Sequence, residues 1–325
     1  MLRTPLCDLL GIEYPIVQGA IWPATSPELV AAVSNAGALG SIGAIFASAE
    51  QLRPQIERVR QLTDRPFAVN HVVPMLNEEA FALTIAAKPA VISFALGDPG
   101  DLVARAHESG AKVIHQVHTA QQARQAAQRG VDAIIAQGGE AGGQGLVQGP
   151  STMVLVPQVV DAVDPIPVLA AGGIADGRGL AAALVLGAQG ANIGTRFLAS
   201  HESSAPEVWK QAILSTESED AVRFEVWEKI MPAAGDAAYD TVPRVLRTAF
   251  VDAWRDRPDD AKREAERLRG EIMQALREGR AHELVPFSGQ TAGLVREILP
   301  AAEIVNRIVR DAEQALRAGA RLATT

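Results

Sequence analysis

The feature that most constrains the fold is a regular alternation of short apolar runs with longer amphipathic stretches over the first 200 residues. Eight runs have strand length: 15–18, 38–42, 67–70, 91–94, 112–117, 133–137, 167–171 and 191–194. Between them lie stretches of helical length, among them 27–35, 49–62, 101–108, 120–129, 152–162 and 179–186. The runs are rich in Val, Ile and Ala without polar alternation, which is typical of a parallel sheet buried on both faces.

Eight β-then-α units predict an α/β fold of the (β/α)8 TIM-barrel type, with functional groups on the loops after the strands. The alternative is a doubly wound open sheet, which would carry a Gly-x-Gly-x-x-Gly pattern after its first strand. Residues 18–22 read Gln-Gly-Ala-Ile-Trp and do not match. The barrel is therefore the favoured fold.

The pattern changes after residue 200, because 207–284 is charged and has helical spacing. We expect a small helical insertion after strand eight, at about 201–285, that caps the barrel mouth. The barrel would then consist of 1–200 and about 286–325. Apolar residues at helical spacing in 294–318 predict the closing helix of the eighth unit.

Charge and cysteine content exclude several classes of protein. The net charge of −8 and the pI of about 5.4 offer no basic face for nucleic acid. The single cysteine, Cys7, has no disulfide partner and no metal-ligand spacing around it, so we expect no metal site and a reducing compartment.

No stretch reaches about 18 uninterrupted apolar residues, and residues 1–5 lack a basic region followed by an apolar core. We expect a cytoplasmic protein with no membrane contact. Its expected partner is a small-molecule substrate, and a homodimer is compatible with the sequence.

Glycine accumulates directly after the sixth predicted strand. Five glycines lie between Gly138 and Gly145, which is too many for a helix. Since glycine removes the side chain, bare backbone here must approach something closely.

Two further strand ends carry glycine: Gly172 and Gly173 after the seventh strand, and Gly194 with Thr195 after the eighth. They are about twenty residues apart, one βα unit, so a barrel makes them neighbours at the position that commonly holds a phosphate. Bare main-chain N–H groups and the Thr195 hydroxyl would bind the anion. The alternative is that these glycines only make tight βα turns, but the pair in this order favours a phosphate site.

A resemblance to a known family is carried by the glycines at these three strand ends, by residues 15–19 (Pro-Ile-Val-Gln-Gly) and by the segment from Gly289. In these features the chain resembles the nitronate monooxygenase (2-nitropropane dioxygenase-like) family of FMN enzymes. This family includes enoyl-thioester reductases and NAD(P)H:quinone reductases. The resemblance implies that the phosphate belongs to FMN. It also implies that the flavin is lined by Gly19, Ala20, Ile21, Asn70, Gln116, Gln137 and Gly142.

The chain departs from this family at one position. Relatives typically have Glu-Ala-Gly-Gly-His with a histidine proposed as catalytic, whereas residues 140–144 read Glu-Ala-Gly-Gly-Gln. A histidine can exchange a proton near neutral pH, and a glutamine cannot. Gln144 can still orient a substrate by hydrogen bonding. We therefore expect anionic nitronates to react and neutral nitroalkanes to be poor substrates.

A reductase would need a proton donor other than Gln144. Alternation along strand five puts His118 on the side of Gln116, which makes it the better candidate, while His71 lies opposite Asn70. The alternative interpretation of His118 is a satisfied polar residue. Glu140 is either a base or a carboxylate that holds backbone amides.

Three functions remain open. The leading hypothesis is an FMN-dependent oxidoreductase that oxidises a small nitronate, with Gln144 orienting the substrate. The second keeps FMN and uses NADH or NADPH to reduce a quinone or an enoyl thioester. The third is a non-catalytic FMN-binding protein. A phosphosugar-type barrel without flavin is a further alternative.

Overall fold

The structure, a computed structural model, describes residues 2–231 and 241–322. Its main sheet has eight parallel strands: β1 (Ile16–Gln18), β2 (Gly40–Gly43), β3 (Phe67–Val72), β4 (Val91–Ala95), β5 (Lys112–Val117), β6 (Ala133–Gln137), β8 (Val168–Ala171) and β9 (Gly190–Ile193). The strand order is β1-β9-β8-β6-β5-β4-β3-β2, and a parallel bridge between Val17 and Leu39 joins the ends. The predicted (β/α)8 barrel is confirmed, each strand lying within two residues of its expected bounds.

A helix follows each barrel strand on the outside of the sheet. These helices are α2 (Pro27–Asn35), α3 (Ala49–Leu62), α4 (Glu78–Ala87), α5 (Leu102–Glu108), α6 (Ala120–Gln128), α7 (Thr152–Val163), α8 (Gly177–Val185) and α16 (Ala301–Leu322). Several begin at a side chain that accepts a main-chain N–H, as Ser48 does for Gln51 in α3. The predicted closing helix is present as α16, which starts at residue 301 because Pro300 precedes it.

The barrel interior is packed at one end and open at the other. Helix α1 (Pro5–Leu10) inserts Leu6, Cys7 and Leu10 beneath the amino ends of the strands. Inward-facing residues of the strands, among them Val91, Ala133 and Leu169, complete this cluster. A plug at the amino ends leaves the carboxyl ends of the strands as the place for a ligand.

Barrel closure depends on short β1. The main-chain N–H of Gln18 donates to the Leu39 carbonyl (2.8 Å), and the N–H of Leu39 donates to the Ile16 carbonyl (2.9 Å). The fully buried Gln18 side chain adds a third link, since its Oε1 accepts from the Ser41 N–H at 3.0 Å. Main chain and one buried amide thus join the first strand to the second.

The segment after β9 contains α9 (Thr195–Leu198), α10 (Glu207–Ser215), α11 (Trp227–Ile230), α12 (Ala249–Trp254), α13 (Pro258–Arg263), α14 (Ala265–Arg277) and α15 (Ala281–Leu284). It also contains two unpredicted strands, β10 (Ala221–Arg223) and β11 (Thr241–Leu246). The helical prediction was therefore incomplete. Residues 232–240 of the expected insertion lie outside the described residues, and its limits at 201 and 285 stay predictions.

The glycine run contributes to this second sheet. Residues 143–146 form β7 (Gly143–Leu146), which pairs antiparallel with β11 in the order β10-β11-β7. A glycine-rich segment has little intrinsic strand preference, so the distant partner rather than the local sequence determines this strand. The insertion and the glycine run are consequently one structural unit over the barrel mouth.

The insertion has its own apolar core, in which Phe224, Val245, Leu268 and Ile272 are buried together. A separate cluster around Trp209 and Leu246 packs it against the barrel. Within the described ranges, no helix has both the length and the apolar character that crossing a bilayer requires.

Replacing Gln18 with leucine should lower the free energy of unfolding by about 1–3 kcal/mol, because the buried Ser41 N–H then has no acceptor. Urea unfolding followed by circular dichroism measures this loss. Gln211→Leu, at an exposed position of α10, is the matched control and should change stability by less than about 0.5 kcal/mol. Equal stability of the two variants would contradict the assigned role of Gln18.

Candidate active site

A cavity of about 710 Å³ lies at the carboxyl ends of the barrel strands, beneath the insertion. Its floor is the upper layer of the barrel interior, formed by Val17, Leu39, Ala68, Ile114, Ile135 and Ala171. This volume is in the usual range for pockets that hold a cofactor or a small molecule.

The structure brings together all but one of the predicted site residues. Lining the cavity are Gly19, Ala20, Ile21, Asn70, Gln116, Gln137, Gly142, Gln144, Gly172, Gly173, Gly194 and Thr195. His118 is the exception. Proximity supports their proposed roles in binding a flavin, and those roles remain predictions.

Of the glycines after β8 and β9, Gly173 has open space beside it, bordered by the Glu140 side chain, whereas Gly172 and Gly194 lie close to protein atoms. Gly172 and Gly173 have φ of 95° and 75°, a left-handed conformation that glycine adopts without strain. A methyl group built on Gly173 would find no protein atom within 3.8 Å. The Thr195 Oγ1 accepts from the Gly289 N–H (2.9 Å), which leaves its own proton free to donate. This shape and these donors fit the phosphate of FMN.

Amide side chains supply most of the polar surface around this space. Six of them line the cavity: Gln51, Asn70, Gln116, Gln137, Gln144 and Asn192. The Asn70 Nδ2 donates to the Ser93 Oγ at 2.9 Å, which fixes its orientation. The Gln144 Oε1 is buried and has no hydrogen-bond partner in the described part of the chain. Neutral donors and acceptors suit the edge of a flavin ring, and a ligand can satisfy this oxygen.

The glycine run that carries Gln144 is held from several directions. Arg223 and Arg244, on the two strands of the insertion, both donate to the Gly139 carbonyl, at 3.0 and 2.8 Å. The Gln137 Nε2 donates to the Gln144 carbonyl at 2.7 Å. Burial lowers the pKa of Arg244 to about 10, so it stays charged at neutral pH. The position of Gln144 is thus fixed by main-chain contacts.

Glu140 does not face the cavity as a base. Its Oε2 accepts from both the N–H and the hydroxyl of Thr152, at 2.9 and 2.8 Å, at the start of α7. This carboxylate ties the glycine run to the helix, which is the structural one of the two roles expected from the sequence.

Two positions in the glycine run must be glycine because neighbouring protein atoms lie too close for a side chain. A methyl group on Gly138 would lie 2.2 Å from the Thr152 Oγ1, and one on Gly142 would lie 2.5 Å from the Gly289 N. The expectation of a close backbone approach is met, but the closest neighbours of these two residues are protein atoms. Gly142 also lines the cavity.

His118 lies behind Gln137, whose Nε2 is 3.3 Å from the His118 Nε2. It does not line the large cavity, and burial lowers its pKa to about 4, so it is neutral at pH 7. His118 therefore positions Gln137, and its suggested part in proton transfer stays a prediction. His71 is a core residue whose Nε2 contacts the Thr84 hydroxyl at 3.0 Å.

Acid–base groups are rare among the described residues of the cavity wall. Among the described residues that line it, Arg277 is the only one with an ionisable side chain, and no His, Asp, Glu, Lys, Cys or Tyr does so. Nor does any group of three or more potential ligands for a metal ion occur in the described ranges. The described part of this wall can bind and orient a substrate and holds no base that would take a proton from carbon.

Sequence reasoning missed some of the lining. Asn192 lines the cavity from β9. It is the one polar side chain in an otherwise apolar strand, and this position could have identified it as a site residue. The insertion contributes Trp227, Met273, Leu276 and Arg277, for which the local sequence carried no signal because their role depends on docking over the barrel.

A cavity lined by amides and by strand-end glycines at the mouth of a (β/α)8 barrel is compatible with a flavin-dependent oxidoreductase. Comparison with known proteins agrees. The model of the family described as nitronate monooxygenase matches residues 3–82 and 77–311. The chain belongs to this family and is a flavin-dependent enzyme.

Three relatives illustrate the range of the family. A (3aS,4S,5R,7aS)-5-hydroxy-7a-methyl-1-oxo-octahydro-1H-indene-4-carboxyl-CoA dehydrogenase of Mycobacterium tuberculosis is 36% identical over 96% of both chains. The structure of FabK from Thermotoga maritima matches with a TM-score of 0.87 and 37% identity over 98% of both chains. A nitroalkane oxidase from Streptomyces ansochromogenes matches with a TM-score of 0.82 and 29% identity, covering 96% of this chain and 99% of that one.

Gly173→Ala should weaken FMN binding by at least about tenfold, because the added methyl group enters the space open to the phosphate. Gly130→Ala is the matched control: its φ is 83° and no atom lies within 4 Å of the added methyl group, so it carries the same backbone strain of about 1–2 kcal/mol without touching the site. Fluorescence titration with FMN measures affinity. Equal affinities in the two variants would remove Gly173 from the site.

Acidification should destabilise the protein through its buried histidines. Burial lowers the pKa of His71, His115 and His118 to about 4, whereas the unfolded chain protonates near about 6.5. Their contribution is therefore fully present above about pH 6.5 and is lost as the pH falls toward about 4, by about 2–3 kcal/mol per histidine at pH 4.5.

The free energy of unfolding at pH 7 and at pH 4.5 tests this dependence. His118→Asn should reduce the difference between the two values, and the exposed His201→Asn should not. If His118→Asn leaves the difference in unfolding free energy between pH 7 and pH 4.5 unchanged, the folded protein does not keep His118 neutral over this pH range.

Proposed function

We propose that this enzyme is an FMN-dependent oxidoreductase that oxidises a nitronate, or a similar substrate that is already anionic. The observation that carries the proposal is the absence of a carboxylate, imidazole, amine, thiol or phenol among the described cavity residues. A neutral nitroalkane must lose a carbon-bound proton before it is oxidised, and this wall offers no base for that step. FMN, when bound, supplies the two-electron redox centre.

Gln144 would orient the substrate. Its side chain lines the cavity and its Oε1 is free, so the amide has a donor and an acceptor to offer. A nitronate carries its charge on two oxygens, which an amide N–H can bind without any proton transfer. The contacts of the glycine run with Gln137, Arg223 and Arg244 keep this amide in place.

A second candidate is reduction of a quinone or an enoyl thioester with NADH or NADPH. The apolar wall that the insertion adds to the cavity favours a larger substrate, and the M. tuberculosis relative is named for a carboxyl-CoA compound. Dehydrogenation of such a compound would require removal of a proton from carbon, for which the described wall has no base. Reduction with a proton taken from solvent does not meet this obstacle.

Gln144→His should raise turnover of neutral nitroethane by at least about tenfold between about pH 6 and 9, because it adds a titrating group at the position that faces the substrate. Gln144→Asn, which shortens the amide without adding a base, is the control and should give no gain. Oxygen consumption with nitroethane and with its nitronate measures both reactions. If histidine gives no gain while FMN stays bound, Gln144 is not the substrate-facing residue.

Anaerobic mixing separates the candidates. Bleaching of the flavin absorption by a nitronate, and not by NADH or NADPH, is the result expected from the leading proposal. Rapid bleaching by a nicotinamide supports the second candidate. FMN that binds but is reduced by none of these compounds would support a non-catalytic FMN-binding protein instead. A cytoplasmic location and a homodimer remain proposals, which fractionation and light scattering test.

A further inference from the structure

Arg277 is an exposed cation at the wall of the cavity. The other arginines between 255 and 280 all have partners: Arg255 with Asp256, Arg257 and Arg263 with Asp260, Arg267 with Glu264 and Glu271, Arg269 with the Ile230 carbonyl, and Arg280 with Glu278 and Glu283. Arg277 makes no ion pair or hydrogen bond with any residue in the described ranges. It is also the one arginine of this set that lines the cavity.

The wall beside Arg277 is apolar. From the insertion, Trp227, Met231, Met273, Leu276 and Val285 line the cavity. Trp22, Phe46 and Met75 also line it, from the segments that follow β1, β2 and β3. Trp22 and Phe46 meet edge to face with ring centroids 5.5 Å apart, and Phe46 is 54% exposed. This apolar surface is available to a ligand in the cavity.

The two halves of the cavity thus differ in chemistry. The barrel half holds the strand-end glycines and the amides, which account for the cofactor and Gln144. The insertion half offers apolar surface and one cation. A ligand that fills it needs an apolar body and an anion at the end nearest Arg277, since a guanidinium binds carboxylate and phosphate well.

We propose that the insertion half is the binding site for the non-reacting part of the substrate, and that this part is an apolar chain or ring system bearing an anionic group that Arg277 binds. The inference rests on the proposed function only in placing the reacting group near Gln144. A carboxylate on the apolar body and a phosphate of an attached carrier share the required chemistry.

A cation at residue 277 also stabilises helix α14, and this effect is separate from ligand binding. Arg277 lies in the last turn of α14, where a cation interacts favourably with the helix dipole. That interaction requires no contact with the cavity, and it does not depend on a ligand. Binding of an anion by Arg277 predicts instead that ligand affinity changes with charge at residue 277.

Equilibrium binding to the FMN-loaded enzyme tests the proposal, with dodecanoate and uncharged dodecanol as probes and the fluorescence of the cavity tryptophans Trp22 and Trp227 as readout. Dodecanoate should bind about five- to tenfold more tightly than dodecanol, and the preference should shrink with added salt. Arg277→Ala should abolish the preference, Arg277→Lys should keep part of it, and Arg277→Glu should reverse it. Arg280→Ala, which removes an ion-paired arginine outside the cavity, is the control and should leave it unchanged.

Dodecanoyl-CoA and the uncharged thioester dodecanoyl-N-acetylcysteamine distinguish the two sources of the anion. If the enzyme binds the CoA ester more tightly than the uncharged thioester and Arg277→Ala removes this preference, the anion is a phosphate of the carrier. If only dodecanoate is preferred over its uncharged counterpart, the anion is a carboxylate. Equal binding of charged and uncharged probes by the wild type, no binding of any probe, or an unchanged preference in the Arg277 variants would overturn the proposal. If Arg277→Ala fails to fold, the lysine and glutamate variants decide.

These measurements involve no turnover. Failure of the wild type to oxidise nitronates would therefore refute the proposed function without affecting the binding result, and failure of the binding test would leave nitronate oxidation intact.

Discussion

Closure of the barrel between β1 and β2 is the constraint on which the site depends. The main-chain hydrogen bonds between residues 16–18 and 39 convert an open sheet into a cylinder, and the buried Gln18 amide adds a link to Ser41. Without closure, the end of β2 would not lie beside the loop after β1, as it does here, where a methyl group built on Gly43 would lie 3.5 Å from the Ala20 Cβ. This set of contacts therefore brings the residues that follow the first and second strands to a common pocket.

Contacts between the glycine run and the insertion position Gln144 at the pocket. The glycine run leaves the barrel at β6, passes over the strand ends and pairs with β11 of the insertion. Two half-buried guanidinium groups, one carboxylate and one amide hold the glycine run that carries Gln144. The insertion provides both arginines and part of the apolar wall, so the proposed substrate position depends on it.

Much of this arrangement could be predicted from the sequence. Buried parallel strands are apolar throughout and the glycines at their ends interrupt them, so all eight barrel strands and the residues around Gly173 were identifiable from local pattern. The resemblance to a known family added the flavin and the residues that line it.

Features formed by distant segments could not be predicted. Strand β7 exists because it pairs with β11, some hundred positions further along the chain, and β10 and β11 pair with each other within the insertion. Arg277 reaches the cavity because the insertion docks on the barrel. The position of His118 behind Gln137 is a third case: alternation along β5 placed it on the correct side of the strand, but the side chain of Gln137 lies between it and the cavity wall. Local periodicity gives the direction of a side chain and not what stands in front of it.

The central claim is that main-chain N–H groups and the Thr195 hydroxyl bind the phosphate of the flavin. Titration of the flavin-free protein with FMN and with riboflavin, which lacks the phosphate, measures the contribution of that group alone. The account predicts that FMN binds at least about a hundredfold more tightly, as expected for an anion held by several hydrogen bonds. Equal affinity for the two flavins would contradict it.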